Sequence, residues 1–180
     1  QYAEGVQYAR KSLIGNAYNI EGLKMLYMAS DCLSEDAEAV LSAIENCDPL
    51  NDFVRFERYW ADPDEKNRTA FQSLIRNEMA VQNYLELAIW YYSIGQVGRA
   101  EKVLSMSPGD AETAYWRAYL SQDRELLEKA DVSDVSFVFP FREESVPVFE
   151  WAMKESGNWR SAYLLALVHY SRNNDAEALE

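Results

Sequence analysis

Histidine is nearly missing from these 180 residues, with one copy at 169, and cysteine occurs only at positions 32 and 47. A lone His cannot make a metal site, and no acid lies within helical reach of it, so a packed, hydrogen-bonded structural role is expected for His169. Seven Gly and five Pro are few for an all-β domain full of tight turns. Basic residues are also short. Seventeen Lys and Arg stand against 30 Asp and Glu, a formal net charge of −13, which argues against nucleic acid as a partner because phosphate binding needs a concentrated basic face. No apolar run approaches the ~20 residues of a membrane span, so no membrane insertion is expected. The Gly-rich phosphate loop, the nucleophile elbow and His-Glu-x-x-His are all missing. Gly95-Gln96-Val97-Gly98 reads as a turn between helices. Asp62-Pro63-Asp64-Glu65 lacks the Gly and terminal Glu of a calcium loop; Asp62 or Asp64 is instead expected to cap a helix starting near Glu65. No cofactor and no metal are expected.

What is present is apolar: 48% hydrophobic and 13% aromatic residues, enough for one packed domain or a compact repeat array. Cys32 ends one helix and Cys47 ends the next, which begins near Ser34. That helix holds the two thiols roughly 20 Å apart, whereas a disulfide tolerates Cα separations of about 4.4–6.8 Å. Two free thiols are expected, which fits a reducing, cytoplasmic compartment. The chain opens on Gln1 with no basic segment leading into an apolar core, so no secretory leader is expected. It ends in a helical stretch without a closing Gly or Pro. Both ends read as those of a segment cut from a longer polypeptide.

Helical periodicity dominates the rest. Tyr84, Leu87, Ala88 and Tyr91 follow an i, i+3, i+4, i+7 stripe, Gly95 breaks the helix, and Ala100, Val103 and Leu104 open a second stripe closed by Pro108-Gly109-Asp110. Ala88 and Ala100 let two antiparallel helices approach closely. Aromatic, Leu, small, Tyr and then Ala at these positions resembles the tetratricopeptide repeat. Ala37, Leu41, Ile44 and Pro49 carry its second half again, and Leu165, Ala166, His169, Asn173 and Ala178 carry it near the end, led by Trp159. Looser copies lie at 50–60 with 65–76 and at 110–120 with 124–130. The units are 1–17, 18–49, 50–80, 81–109, 110–157 with a long loop at 131–143, and 158–180, taken as one repeat domain over 1–180. The fold expected from the resemblance is all-α: a right-handed superhelical α-solenoid of helix-turn-helix hairpins.

A second resemblance rests on Phe137-Val138-Phe139-Pro140-Phe141-Arg142-Glu143, Phe149-Glu150-Trp151-Ala152 and Trp159, joined by Tyr84 to Gly95, Asp48-Pro49-Leu50 and Arg55-Phe56-Glu57. These are similar to the helical-repeat tail of large bacterial proteins with an N-terminal domain of unknown function and mutarotase-like character. The resemblance implies that any carbohydrate activity would sit outside these residues. Some tetratricopeptide arrays grip a C-terminal carboxylate with Asn and Lys or Arg on their first helices. Leu85, Glu86 and Ile89 stand at such places here and exclude that clamp.

Off the packing stripe of the best repeat lie Gln82, Leu85, Glu86, Ile89, Tyr92 and Ser93. With Trp90, Trp116 and Tyr119 they suggest an apolar, aromatic groove. The segment 137–142 is unusual in placing three Phe, a Pro and an Arg between helical units. Two readings of it stay open: a plug whose aromatics tuck beneath the helices, or a protruding loop whose Arg142 meets an acidic group on a partner. Pro147 places the start of the following helix near Glu144 or Ser145. Between Met25 and Val54 lie seven acids (Asp31, Glu35, Asp36, Glu38, Glu45, Asp48, Asp52) and no Lys or Arg. They form either a solvated helix face or a docking face for a basic partner. The candidate partner-binding residues are thus Leu85, Ile89, Tyr92, Trp116, Tyr119, Phe139, Phe141 and Arg142. The expected function is a non-catalytic scaffold docking a protein, most plausibly another domain of its own polypeptide. The alternative is an accessory domain completing a carbohydrate-active site.

Overall fold

The computed structural model describes residues 2–31, 37–76 and 79–179. Among them every regular element is a helix, and no helix is long and apolar enough to cross a membrane. The repeat reading takes 1–180 as a single array; the helices gather into two compact units, Gln1–Leu74 and Ile75–Glu180.

The first unit holds α1 (Tyr2–Gly15), α2 (Ile20–Asp31), α3 (Glu38–Cys47), α4 (Asp52–Ala61) and α5 (Glu65–Leu74). Helix α2 packs on both α1 and α3, and α4 packs on α5. The α1–α2 approach depends on Gly22, where a Cβ would come within 2.8 Å of the Ser12 hydroxyl. Val6 and Ala9 of α1 bury against Leu26 and Ala29 of α2. Across the next pair, Tyr27 meets Phe53 edge-on at 5.7 Å and Phe56 meets Phe71 at 5.5 Å. The expected cap on α5 is present: Asp64 Oδ1 accepts from the Asn67 N–H at 2.7 Å. Asp62 instead offers its carbonyl to the Asn67 amide at 3.0 Å. Cys47 is a free, half-buried thiol; Cys32, Ser34, Glu35 and Asp36 lie outside the described residues.

Arginines of α4 engage the acids of α3. Arg58 binds Glu45 through both oxygens, at 3.1 and 2.8 Å, and lies 3.4 Å from Glu38. Arg55 adds a contact to Glu45 at 3.1 Å. The hydrogen bond from Arg58, reinforced by both guanidinium charges, holds the Glu45 carboxyl below its ordinary range. Asp48 is turned inward as a turn cap, accepting from Leu50 N–H and the Asn51 amide. The acidic run therefore serves contacts inside its own unit at Glu38, Glu45 and Asp48.

The second unit holds α6 (Ala80–Ser93), α7 (Val97–Ser105), α8 (Ala111–Ser121), α9 (Arg124–Ala130), a short 3-10 turn (Glu143–Ser145), α10 (Val146–Ser156), α11 (Trp159–Ser171) and α12 (Asp175–Leu179). Pairs α6/α7, α8/α9, α10/α11 and α11/α12 pack as neighbours, with α8 also against α7 and α10. Local chemistry fixes the ends. Gly95 and Gly157 close α6 and α10 with positive φ. Asp123 caps α9, and Asn158 caps α11. Pro147 occupies the first turn of α10, where it lacks no hydrogen bond. Tyr84, Leu87, Ala88 and Tyr91 are all buried, as are Ala100, Val103 and Leu104. Ala88, 1% exposed, has no room to grow. Ala88→Leu is expected to cost about 1–3 kcal/mol by overpacking, read as a lower urea midpoint; an unchanged midpoint would contradict this stripe.

Candidate functional site

Helix α8 is the platform on which the long loop is built. Its start is a capping box: the Thr113 N–H donates to Asp110 Oδ1 at 2.8 Å, and the Asp110 N–H to Thr113 Oγ1 at 2.9 Å. One turn on, adjacent residues hold the two ends of the loop. The Tyr115 hydroxyl donates to Asp131 Oδ1 at 2.8 Å, where the chain leaves α9. The Trp116 indole N–H donates to Ser145 Oγ at 2.9 Å, and that hydroxyl donates to Glu112 Oε1 at 2.7 Å, where the chain enters α10. The Asp131 carbonyl also accepts from the Asn158 amide (3.2 Å) and Arg160 (2.9 Å). All five residues of these α8–loop bonds are buried, so each bond is shielded from water and costly to break. Burial, then the bond to Asp131, raises the Tyr115 hydroxyl pKa well above its ordinary value.

Between these anchors the loop turns its aromatics outward. Phe137 is 91% exposed, Phe139 66% and Phe141 46%. The plug reading is thereby corrected: Val138 and Pro140 fill the joint, and the three Phe stand in solvent. Over 138–142 alternation decides this, since adjacent residues in an extended stretch point to opposite sides, and Phe137 projects from the turn before it. An Asx turn shapes the approach, the Ser136 N–H donating to Asp134 Oδ1 at 2.9 Å; that hydrogen bond also lowers the Asp134 carboxyl pKa. Phe137 has φ +62°, a left-handed conformation that a bulky side chain adopts at a cost of roughly 1–2 kcal/mol.

Arg142 is not offered to an outside acid. It lies 3.5 Å from Glu86 of α6 and stacks over the Phe141 ring at 4.7 Å. Leu85, Ile89 and Trp116 are buried, so their side chains are core as placed. Tyr92 and Tyr119 are half-buried, their hydroxyls 3.2 Å apart. That bond, with burial, pushes the Tyr119 hydroxyl up to about 12. Tyr92, Trp116, Tyr119 and Trp151 form one edge-to-face cluster joining α6, α8 and α10, with centroids 5.6–6.2 Å apart. Of the eight candidates, then, Phe139 and Phe141 face solvent, Tyr92 and Tyr119 are partly reachable, Arg142 is paired within the chain, and three are packing residues.

A cleft of about 310 Å³ opens beside the loop, lined by Met79, Val81, Gln82, Asp110, Ser136, Phe137, Val138 and Phe139. Behind it Glu112 is 1% exposed. Burial pushes its carboxyl up to about 7, against the opposing pull of Ser145, with lesser effects from Asp110, Gln82 and Arg142. Glu112 Oε2 and Gln82 Oε1 are buried acceptors without a donor. The Ser145 hydroxyl is fully buried and engaged by both Trp116 and Glu112. His169 departs from the hydrogen-bonded role expected of it, because its Nδ1 is buried without a partner. Among the described residues no group of three or more His, Cys, Asp or Glu is placed to hold a metal ion.

Sequence reasoning missed Glu112, Tyr115, Asp131 and Ser145. One signal was present: Glu112 precedes Trp116 by four residues, so the acid shares a helix face with a large apolar side chain. The far ends of these bonds, at 131 and 145, have no local signature. A comparison with models of known protein families finds no match, and no curated protein matches the chain.

Proposed function

We propose that the protein is a non-catalytic binding module of tetratricopeptide type, its hairpins stacking as in a right-handed α-solenoid, and that it docks a protein segment or another domain of its own polypeptide. The observation carrying this reading is the exposure of Phe137 and Phe139 on a loop anchored at both ends by buried hydrogen bonds. Apolar rings in water are unfavourable, and a left-handed Phe adds backbone strain. Both costs are offset once a partner covers the rings. A rigidly held aromatic is the residue type that dominates protein interfaces, because little side-chain freedom is lost on contact.

The carbohydrate alternative needs several unengaged polar groups converging on the aromatics. Asp110 Oδ1 and the Ser136 backbone N–H are already engaged in a cap and a turn, which weakens it. Panning a display library of random dodecapeptides against the protein tests the docking reading. A peptide family should be enriched that Phe137→Gly no longer retains, while this variant keeps its melting temperature, since glycine relieves the left-handed strain. Failure to enrich any family, or equal retention by the variant, would overturn the reading.

A further inference from the structure

The cleft beside the loop has a definite chemical character. Its apolar wall is Met79, Val81 and Val138, its aromatic edge Phe137 and Phe139, and its polar residues are Gln82, Asp110 and Ser136. No basic residue lines it. The nearby cations are engaged elsewhere: Arg142 by Glu86 and Phe141, Arg160 by the Asp131 carbonyl and Arg172 by Glu143. Both contacts of Thr113 with the Asp110 carboxylate fall on Oδ1, so Oδ2 is left without a hydrogen bond. Gln82 adds an amide whose oxygen also lacks a donor. The site therefore presents acceptors, a negative charge and aromatic faces around an apolar wall. Anions are repelled here. An alkyl group alone would leave the carboxylate desolvated and unpaired. A cation on an apolar stem satisfies every feature: methylenes against Met79, Val81 and Val138, ring faces for a cation–π contact, and Asp110 Oδ2 for the charge. The chain's net charge of −13 steers such a ligand inward.

We propose that this cleft takes the basic side chain, arginine or lysine, of a partner polypeptide, with Asp110 Oδ2 receiving its charge and Phe137 and Phe139 flanking it. This rests on the reading of the loop face as a binding surface. It adds the class of residue recognised there.

The test is a titration followed by amide chemical shifts. The full chain is titrated with acetyl-Ala-X-Ala-amide, X being arginine, lysine, norleucine or citrulline. The arginine or lysine peptide should shift Asp110, Ser136 and Phe139 saturably, with Kd on the order of millimolar, as a single side chain allows. The norleucine and citrulline peptides should bind about fivefold more weakly, one charge contact's worth. Asp110→Asn should weaken the basic peptides about fivefold yet melt like wild type, because asparagine caps a helix as well as aspartate. Norleucine binding equal to arginine, insensitive to Asp110→Asn, would overturn the cation assignment and leave the binding face intact. Butylamine or propylguanidine binding more tightly than the peptides would overturn the assignment to a polypeptide, making a small cation the occupant. No saturable shift with any peptide would also overturn the inference, and the display experiment then decides separately whether the loop face binds at all.

Discussion

Replacing Trp116 by alanine is expected to lower the stability of the second unit by about 3–5 kcal/mol, the range for emptying a fully buried Trp. The indole is 0% exposed and stands edge-on to Tyr92 and Tyr119 at 5.6 and 6.2 Å. Its removal leaves a cavity where α6, α8 and α10 meet. It also deletes the N–H that ties the loop to α8 through Ser145, so residues 137–145 should exchange amide hydrogens faster than in wild type. Trp116→Phe separates the two effects. It keeps most of the ring packing and loses the hydrogen bond, for a cost of about 1–2 kcal/mol. Tyr115→Phe is the matching change at the other end of the loop, where a buried Asp131 oxygen loses its donor. Urea unfolding followed by circular dichroism reads all three. A loss below about 1 kcal/mol in Trp116→Ala would show that the cluster repacks and that α8 is not the loop's anchor.

The part of this architecture legible in the sequence is the part governed by local rules. The stripe Tyr84, Leu87, Ala88, Tyr91 is set by the helical period alone, and all four side chains are buried. Asp64, Gly95 and Pro147 sit at helix ends because capping, positive φ and a missing N–H act within one turn. The stripe logic failed at Leu85 and Ile89. They lie off the seam between α6 and its hairpin partner, yet they are buried. Periodicity reports the face toward one neighbour; a helix in a layered array has several neighbours and hides more of its circumference.

The loop misled for a related reason. Three Phe in six residues read by composition as buried mass, but Phe137 sits in a turn and the extended stretch 138–142 alternates, so that either set of alternate residues can face inward. Val138 and Pro140 took that place. Arg142 read as a cation for a partner because its acid, Glu86, is 56 positions away in the sequence. Glu112 was invisible as a functional group for the same reason. Its burial depends on Ser145 and Trp116 closing over it, a contact across 33 residues.

That carboxyl should govern how stability varies with pH. In the unfolded chain Glu112 titrates near 4.5; in the fold burial pushes it up to about 7. The folded protein thus favours the protonated form. The stabilising contribution is fully present below pH 4.5 and is lost as pH rises through 7, because the native state binds the extra proton over that window. At 1.36 kcal/mol per unit the loss amounts to roughly 3 kcal/mol between pH 4.5 and 8. The hydrogen bonding agrees. Ionised Glu112 leaves Oε2 buried without a donor. A proton on Oε2 removes a buried charge that no donor there compensates. Glu112→Gln keeps this position neutral at every pH while its oxygen still accepts from Ser145. The variant should match wild type near pH 4.5 and exceed it by about 2–3 kcal/mol at pH 8, with the difference growing steadily between. Urea midpoints of both proteins at pH 5, 6, 7 and 8 give the result directly. A difference that stays constant with pH would mean that Glu112 titrates as an ordinary carboxyl, and that water reaches the floor beneath the loop.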